Sequence, residues 1–287
     1  MLTFGYVPEG DFMVINKNIA FNPVDTFECG QCFRWNLKNG VYTGVSGGRV
    51  CKVRNRDFEF TPSDEEYWNN YFAFDIDYAD IQKRLLKADN TLKPCIDFGS
   101  GIRILKQDIW ETIVSFIISA NNNIPRIKKI IETLCHMYGD EIVFDGDTYY
   151  AFPSPKQLAL LSQEDLAPLK AGYRDKYILD AATKVASGEV DTNSLYSMSD
   201  EDARKTLMKI KGVGRKVADC ILLFSLGRFS VFPADVWIKR ILNNIYSVEN
   251  DKIIDFVTQK YGALAGYAQQ YLYYYYRSNE AAQINGD

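Results

Sequence analysis

The sequence predicts an α+β protein: a β-rich N-terminal domain over residues 1–105 leading into an all-helical body over 106–287. Two observations carry this. The first sixty residues alternate short apolar or aromatic runs with turn signals, and from about Ser63 the apolar period lengthens from two to between three and four. Composition sets the outer bounds. With 287 residues, 47% hydrophobic and 24% charged, the chain can bury a sizeable core, and disorder, collagen and coiled coil are excluded.

In chain order, strands are expected at Asp11–Ile15, Cys32–Asn36, Val41–Val45, Arg49–Val53 and Asp57–Thr61, with Asn39-Gly40 and Gly47-Gly48 as hairpin turns. Ser63-Asp-Glu-Glu66 opens like a capping box. Helices are then expected at 80–88, 107–120 and 125–138, followed by helix upon helix: 163–169, 174–186, 200–210, 214–224, 234–246, 251–261 and 265–277. No repeat or low-complexity linker interrupts them. An active site between the two parts is the default expectation.

No apolar run reaches the roughly 18 residues of a membrane span, and Met1–Gly10 has neither a basic segment nor a signal-like apolar stretch. A soluble, unexported protein is expected, free of membranes. Six cysteines (Cys29, Cys32, Cys51, Cys95, Cys135 and Cys220) are too sparse for a disulfide scaffold and suit a reducing compartment. A Ser-His-Asp triad or a two-histidine zinc site is disfavoured by a single histidine, His136. Cys29-Gly-Gln-Cys32 has metal-like spacing but no second pair, so no metal is assigned to it.

The net charge of -4 argues at face value against a nucleic-acid partner. That average hides an asymmetry. Residues 202–240 hold nine Lys/Arg against three Asp, so this segment is +6 and the remainder is -10. Within it, Leu207-Met-Lys-Ile-Lys-Gly-Val-Gly-Arg-Lys-Val-Ala-Asp-Cys-Ile221 reads as helix, Gly-Val-Gly, helix. Gly212 and Gly214 allow a turn too tight for side chains, and the amides opening the next helix make an anion site. With Lys209, Lys211 and Arg215 around it, the natural anion is a DNA phosphate, held without regard to sequence.

Lys216 falls on the first turn of that helix, where the macrodipole and Arg215 favour a neutral, nucleophilic amine; a phosphate contact is the plainer reading. Cys220 shares its helical face, as a pocket neighbour or as a small buried hydrophobe. Asp235, within Val231-Phe-Pro-Ala-Asp-Val-Trp-Ile-Lys-Arg240, is an N-cap or a carboxylate partner for a developing cation.

Gly212–Cys220 followed by Pro233-Ala-Asp-Val236 resembles the helix-hairpin-helix Gly/Pro/Asp superfamily of base-excision DNA glycosylases, and within it the 8-oxoguanine DNA glycosylases. Gly30-Gln-Cys-Phe-Arg-Trp35, Ser119-Ala-Asn-Asn-Asn-Ile-Pro-Arg126, Gly172-Tyr-Arg174 and Ala265-Gly-Tyr-Ala-Gln269 match in the same order along nearly the whole chain. The resemblance implies a bifunctional glycosylase and apurinic-site lyase acting as a monomer on double-stranded DNA. Lys216 matches its nucleophile and Asp235 the acid beside it. Gly30, Cys220, Gln269 and Tyr273 match the pocket for the flipped base, with the Gly30 carbonyl accepting N7–H of 8-oxoguanine. Asn121, Arg126 and Arg174 match readers of the estranged cytosine, and Tyr173 the wedge beside it. Lys211, Gly212, Gly214, Arg215 and Trp237 fall where the family contacts phosphate.

Two positions depart from the pattern: Trp237 stands where animal members carry histidine, and Tyr273 where phenylalanine is usual. No cysteine follows Cys220, so the iron-sulfur cluster of the endonuclease III branch is not expected, nor any other cofactor. A lysine-dependent enzyme for another oxidised base, or a hairpin that only holds DNA, are the alternatives. The lack of an organelle-type leader points to a prokaryotic cytoplasm, at the nucleoid.

Overall fold

The computed structural model describes residues 12–17 and 19–284; Met1–Gly10 and Asp11, where the first strand was expected to begin, lie outside them. Strands β1 (Met13–Asn16), β2 (Trp35–Lys38), β3 (Val41–Ser46), β4 (Arg49–Arg54) and β5 (Asp57–Phe60) form one antiparallel sheet in the order β1-β5-β4-β3-β2. Its turns follow from their residues. Asn39-Gly40 and Gly47-Gly48 have positive φ at both central positions (52° and 77°, 56° and 73°), the twist that a two-residue hairpin requires.

A short helix absent from the sequence reading, α1 (Pro23–Phe27), lies between β1 and β2, capped by Asn22 with Pro23 on its first turn. Phe27 stacks on Trp35 with ring centres 4.0 Å apart, in a core shared with Phe58, Phe60, Trp68 and Phe72. The second strand starts later than expected, at Trp35, because residues 28–33 turn back on the protein. There the fully buried Gln31 side chain donates to the carbonyls of Thr26 (2.8 Å) and Arg103 (2.7 Å) and accepts from the Leu105 amide (2.9 Å).

Helices α2 (Glu65–Tyr71), α3 (Tyr78–Ala88) and α4 (Lys93–Phe98) follow. The expected capping box at 63–66 is not formed: Pro62–Asp64 makes a 3-10 turn, and Asp64, the residue preceding α2, makes no side-chain capping bond. Proline at the start of that turn favours the tighter helix over a Ser63 cap. Helix α5 (Ile109–Ser119) is buried from Ile109 through Ile118 and packs against α6 (Ile124–Tyr138), as a central helix must.

The body is not all-helical. Strands β6 (Glu141–Phe144) and β7 (Asp147–Tyr150) pair as a hairpin around Asp145-Gly146, with φ of 49° and 74°, and Phe144 packs on Val45 and Val50 of the main sheet. The remaining helices are α7 (Pro155–Ala159), α8 (Gln163–Leu166), α9 (Arg174–Ala186), α10 (Asp200–Leu207), α11 (Arg215–Phe224), α12 (Val236–Tyr246), α13 (Ile253–Tyr261) and α14 (Ala265–Ile284). The last returns to the N-terminal part. Gln270 Nε2 donates to the Cys29 carbonyl (2.9 Å) and Arg277 Nη2 to the Glu28 carbonyl (2.5 Å), so the turn at Gly30 is held from the far end of the chain.

Arg103, 1% exposed, ties the strand-to-helix crossing together. Its guanidinium donates to the carbonyls of Phe72 (2.9 Å), Ala73, Ile76 (3.1 Å) and Ala20 (3.3 Å), and it lies 4.3 Å from the centre of the Tyr78 ring. All six cysteines are buried and free. Among the described residues no helix is long and apolar enough to cross a membrane, and no cluster of three or more His, Cys, Asp or Glu could hold a metal ion.

Candidate active site

The basic hairpin forms as expected. Helix α10 ends at Leu207, the chain turns through Gly212 at φ 85°, and α11 begins after Gly214, which offers no side-chain cap. A methyl on Gly212 would meet the Tyr177 ring at 2.5 Å, so both the backbone conformation and the space require glycine there. Val213 is buried and anchors the turn, while Lys211, Gly212, Gly214 and Arg215 face solvent. The first amides of α11 therefore have no partner within the helix and open outward between cations.

Not all nine basic residues serve that face. Arg204 is buried, donating to Asp219 at 2.7 Å, and Arg228 holds the carbonyls of Tyr196 and Met198. Lys209, Lys211, Arg215 and Arg240 are exposed.

Half-buried Lys216 points back under the hairpin, its Nζ 5.7 Å from the centre of the Phe116 ring. Phe116 in turn stacks on Phe224 (5.5 Å) and meets the edge of Phe33 (5.7 Å). Sequence reasoning did not select Phe116; an aromatic in a fully apolar helix carries no signal apart from its core role. Asp235 caps α12, accepting from the Ile238 amide at 2.8 Å, and its charge also reaches Lys216. The N-cap reading is met, and the same position lets its charge act on Lys216. Trp237, half-buried, sits two residues further along on the first turn of α12.

The expected neutral amine is not found. The Cys220 sulfur, and with it Asp235 and Tyr273, outweigh burial and hold the Lys216 amine above the ordinary lysine range. Burial meanwhile lifts the Cys220 thiol to about 11, so near neutral pH the thiol is uncharged. The depression expected from the helix dipole and Arg215 is outweighed by Cys220, Asp235 and Tyr273 together.

Gly30 has the left-handed backbone (φ 84°) that favours glycine, and a methyl there would crowd Cε1 of Tyr273 at 3.1 Å and Nη1 of Arg277 at 2.9 Å. Cys220 and Gln269 are buried, and Gln269 Oε1 has no hydrogen-bond partner. A polar atom buried in this way marks a place where a ligand can complete the bonding.

A second cluster forms where α5, α6 and the start of α9 meet. Asn121 is exposed with φ 50°, Tyr173 is 51% exposed, and Arg126 donates to the Lys170 carbonyl at 2.9 Å. Arg174 lies beneath, 3% exposed, donating to the carbonyls of Ala120, Asn121 and Ala171 with its Cζ 4.5 Å from the Tyr173 ring centre. Each of its three guanidinium nitrogens makes a hydrogen bond, four in all, which leaves one of the five N–H groups, on Nη1, outside these bonds.

Comparison with known proteins gives the family. Residues 13–113 match the 8-oxoguanine DNA glycosylase N-terminal domain, and residues 114–261 match the HhH-GPD superfamily of base excision DNA repair proteins. A probable N-glycosylase/DNA lyase of Methanothermobacter thermautotrophicus is 32% identical over 225 residues, covering 70% of this chain and 72% of the relative. The structure of MBOgg1 in complex with a low-affinity DNA ligand superposes with a TM-score of 0.91 at 44% identity, covering 97% of this chain and 100% of the other. That of the Clostridium acetobutylicum 8-oxoguanine glycosylase/lyase, bound to double-stranded DNA with cytosine opposite 8-oxoguanine, superposes at 0.88 and 39%, covering 95% and 97%. The chain belongs to the HhH-GPD superfamily of base excision DNA repair proteins, among the members that carry the 8-oxoguanine DNA glycosylase N-terminal domain.

Proposed function

We propose that this protein is a DNA glycosylase and apurinic-site lyase that removes 8-oxoguanine opposite cytosine. The observation that carries the reading is a lysine amine gathered with Cys220, Asp235 and Tyr273 at the start of the helix that follows the solvent-facing Gly-Val-Gly turn, with Tyr273 also set against Gly30. The hairpin amides with Lys211 and Arg215 hold the phosphate backbone, Trp237 lies against it, and the target base leaves the duplex.

Cys220 and Tyr273 sandwich the base. The Gly30 carbonyl accepts N7–H, a hydrogen that guanine lacks, which separates the two bases by about 1–3 kcal/mol. Once the site is filled, the ammonium of Lys216 gives up its proton and the nitrogen lone pair attacks C1′ as the bond to the base breaks. The departing base takes the bonding pair and the proton that Lys216 gave up; the C1′–O4′ bond then breaks as O4′ takes a proton from the new ammonium, leaving a protonated imine whose charge Asp235 balances, and loss of a proton from C2′ then expels the 3′ phosphate. This chemistry is supplied by side chains of the chain itself and calls for no metal or cofactor. Residues up to about 105 and from 106 onward act as two modules, with the pocket between them.

Borohydride reduces an imine to a stable amine, so mixing the protein with an 8-oxoguanine:cytosine duplex and borohydride is expected to give a covalent adduct. An adduct with an abasic duplex alone would move the substrate to another base. No adduct with either would leave a module that only holds DNA.

Asn121, Arg126 and Arg174 read the orphaned cytosine, and Tyr173 fills the gap in the stack. Excision is therefore expected to be fastest opposite cytosine, by about tenfold or more over the other bases. Equal rates opposite all four bases, in single-turnover assays, would refute this role.

A further inference from the structure

One face of α14 carries two buried polar atoms that nothing satisfies. Gln269, Tyr273 and Arg277 recur every fourth residue and so lie one above another along the helix. Gln269 Oε1 at one end of the stripe and Arg277 Nη1 at the other are buried without a hydrogen-bond partner, with Tyr273 between them. Arg277 is nevertheless firmly placed. Its Nη2 donates to the Glu28 carbonyl, and its Cζ lies 5.5 Å from the centre of the Tyr273 ring. Nη1 is the donor left over, and it stands against Gly30, within 2.9 Å of where a methyl on that residue would be.

The following rests on the reading of this pocket given above. A purine lying along Tyr273, with its Watson-Crick edge toward Gln269 and its N7 toward the Gly30 carbonyl, brings C8 to the end where Arg277 waits. C8 is bonded to N7. In the lesion it carries an oxygen, a strong acceptor; in guanine it carries a hydrogen. We propose that Arg277 is a specificity-determining residue of the base pocket, its free Nη1–H donating to the C8 oxygen. A guanidinium-to-carbonyl bond is charge-assisted, and guanine would leave the donor buried and unpaired. Gly30 and Arg277 then recognise the two neighbouring features of the lesion, one as acceptor and the other as donor.

The test separates this from a purely structural role, since Arg277 also holds the Glu28 carbonyl. Single-turnover base release is measured for wild type and Arg277→Met on two duplexes, 8-oxoguanine:cytosine and 8-thioguanine:cytosine. Both lesions keep N7–H, but sulfur is a poor acceptor. The substitution is expected to cut the oxygen-over-sulfur preference by about tenfold or more. Equal losses on both lesions would make Arg277 only a brace for the loop and overturn the proposal. If Arg277→Met does not fold, Arg277→Lys reads the same ratio, because one ammonium cannot occupy both guanidinium positions; an unchanged ratio overturns the proposal there too. Failure of wild type to release 8-oxoguanine at all would instead bring down the reading of the pocket, and this assignment with it.

Discussion

Lys216→Gln is expected to abolish base release and strand cleavage together, by at least about ten-thousandfold, while leaving the affinity for lesion DNA within about fivefold. Glutamine preserves the length and polarity of the side chain but has no basic nitrogen, so neither displacement at C1′ nor imine formation can begin. Binding is expected to rest elsewhere, on the hairpin, where Gly212, Gly214, Arg215 and Lys211 face solvent. Active-site titration with a labelled lesion duplex, paired with binding by anisotropy, checks both halves. Residual excision within about tenfold of wild type would remove the lysine from the chemistry. Loss of binding in a variant that melts like wild type would return Lys216 to the role of a phosphate contact.

Arg103→Met is expected to destabilise the fold by about 3–5 kcal/mol without touching the site directly. Methionine fills much of the same volume but has no donors. The carbonyls of Phe72, Ala73, Ile76 and Ala20 would lose their shared partner in the interior. Ala73 adds to the effect, since its left-handed backbone (φ 50°) depends on neighbours that hold it there. Urea denaturation monitored by tryptophan fluorescence gives the difference, and a loss below about 1 kcal/mol would show that water or rearrangement satisfies those carbonyls instead.

The strands, the long helices and the hairpin were legible in the sequence because each is specified locally, by alternation, by three-to-four spacing or by Gly-Val-Gly. The β6–β7 hairpin was equally local and was passed over: Asp145-Gly146 between Glu141–Phe144 and Asp147–Tyr150 is a strong turn signal, lost in a stretch read for helical period. The charge state of Lys216 was legible only in part. Its helix position predicts depression of the pKa; of the groups that oppose it, Cys220 is four residues along the same helix and in reach of a sequence reading, but Asp235 and Tyr273 come from other helices and only folding brings them to bear. Arg277 could have been found from its four-residue spacing with Gln269 and Tyr273. What no sequence pattern discloses is that one of its nitrogens is left without a partner beside a glycine 247 residues earlier.

The grip of α14 on residues 28–30 also orders events during synthesis. The sheet, the basic hairpin and the lysine are all translated before Ala265, whereas the contacts from Gln270 and Arg277 to the turn span 241 and 249 residues of sequence. On the proposed assignments the hairpin, Lys216 and Gly30 are made first, and Gln269, Tyr273 and Arg277 join the base pocket only with the final helix. That helix is also part of the main core, with Ala265, Ala268, Tyr271 and Leu272 buried in it, so loss of the chain beyond Ala265 would strip packing from the body along with Gln269, Tyr273 and Arg277.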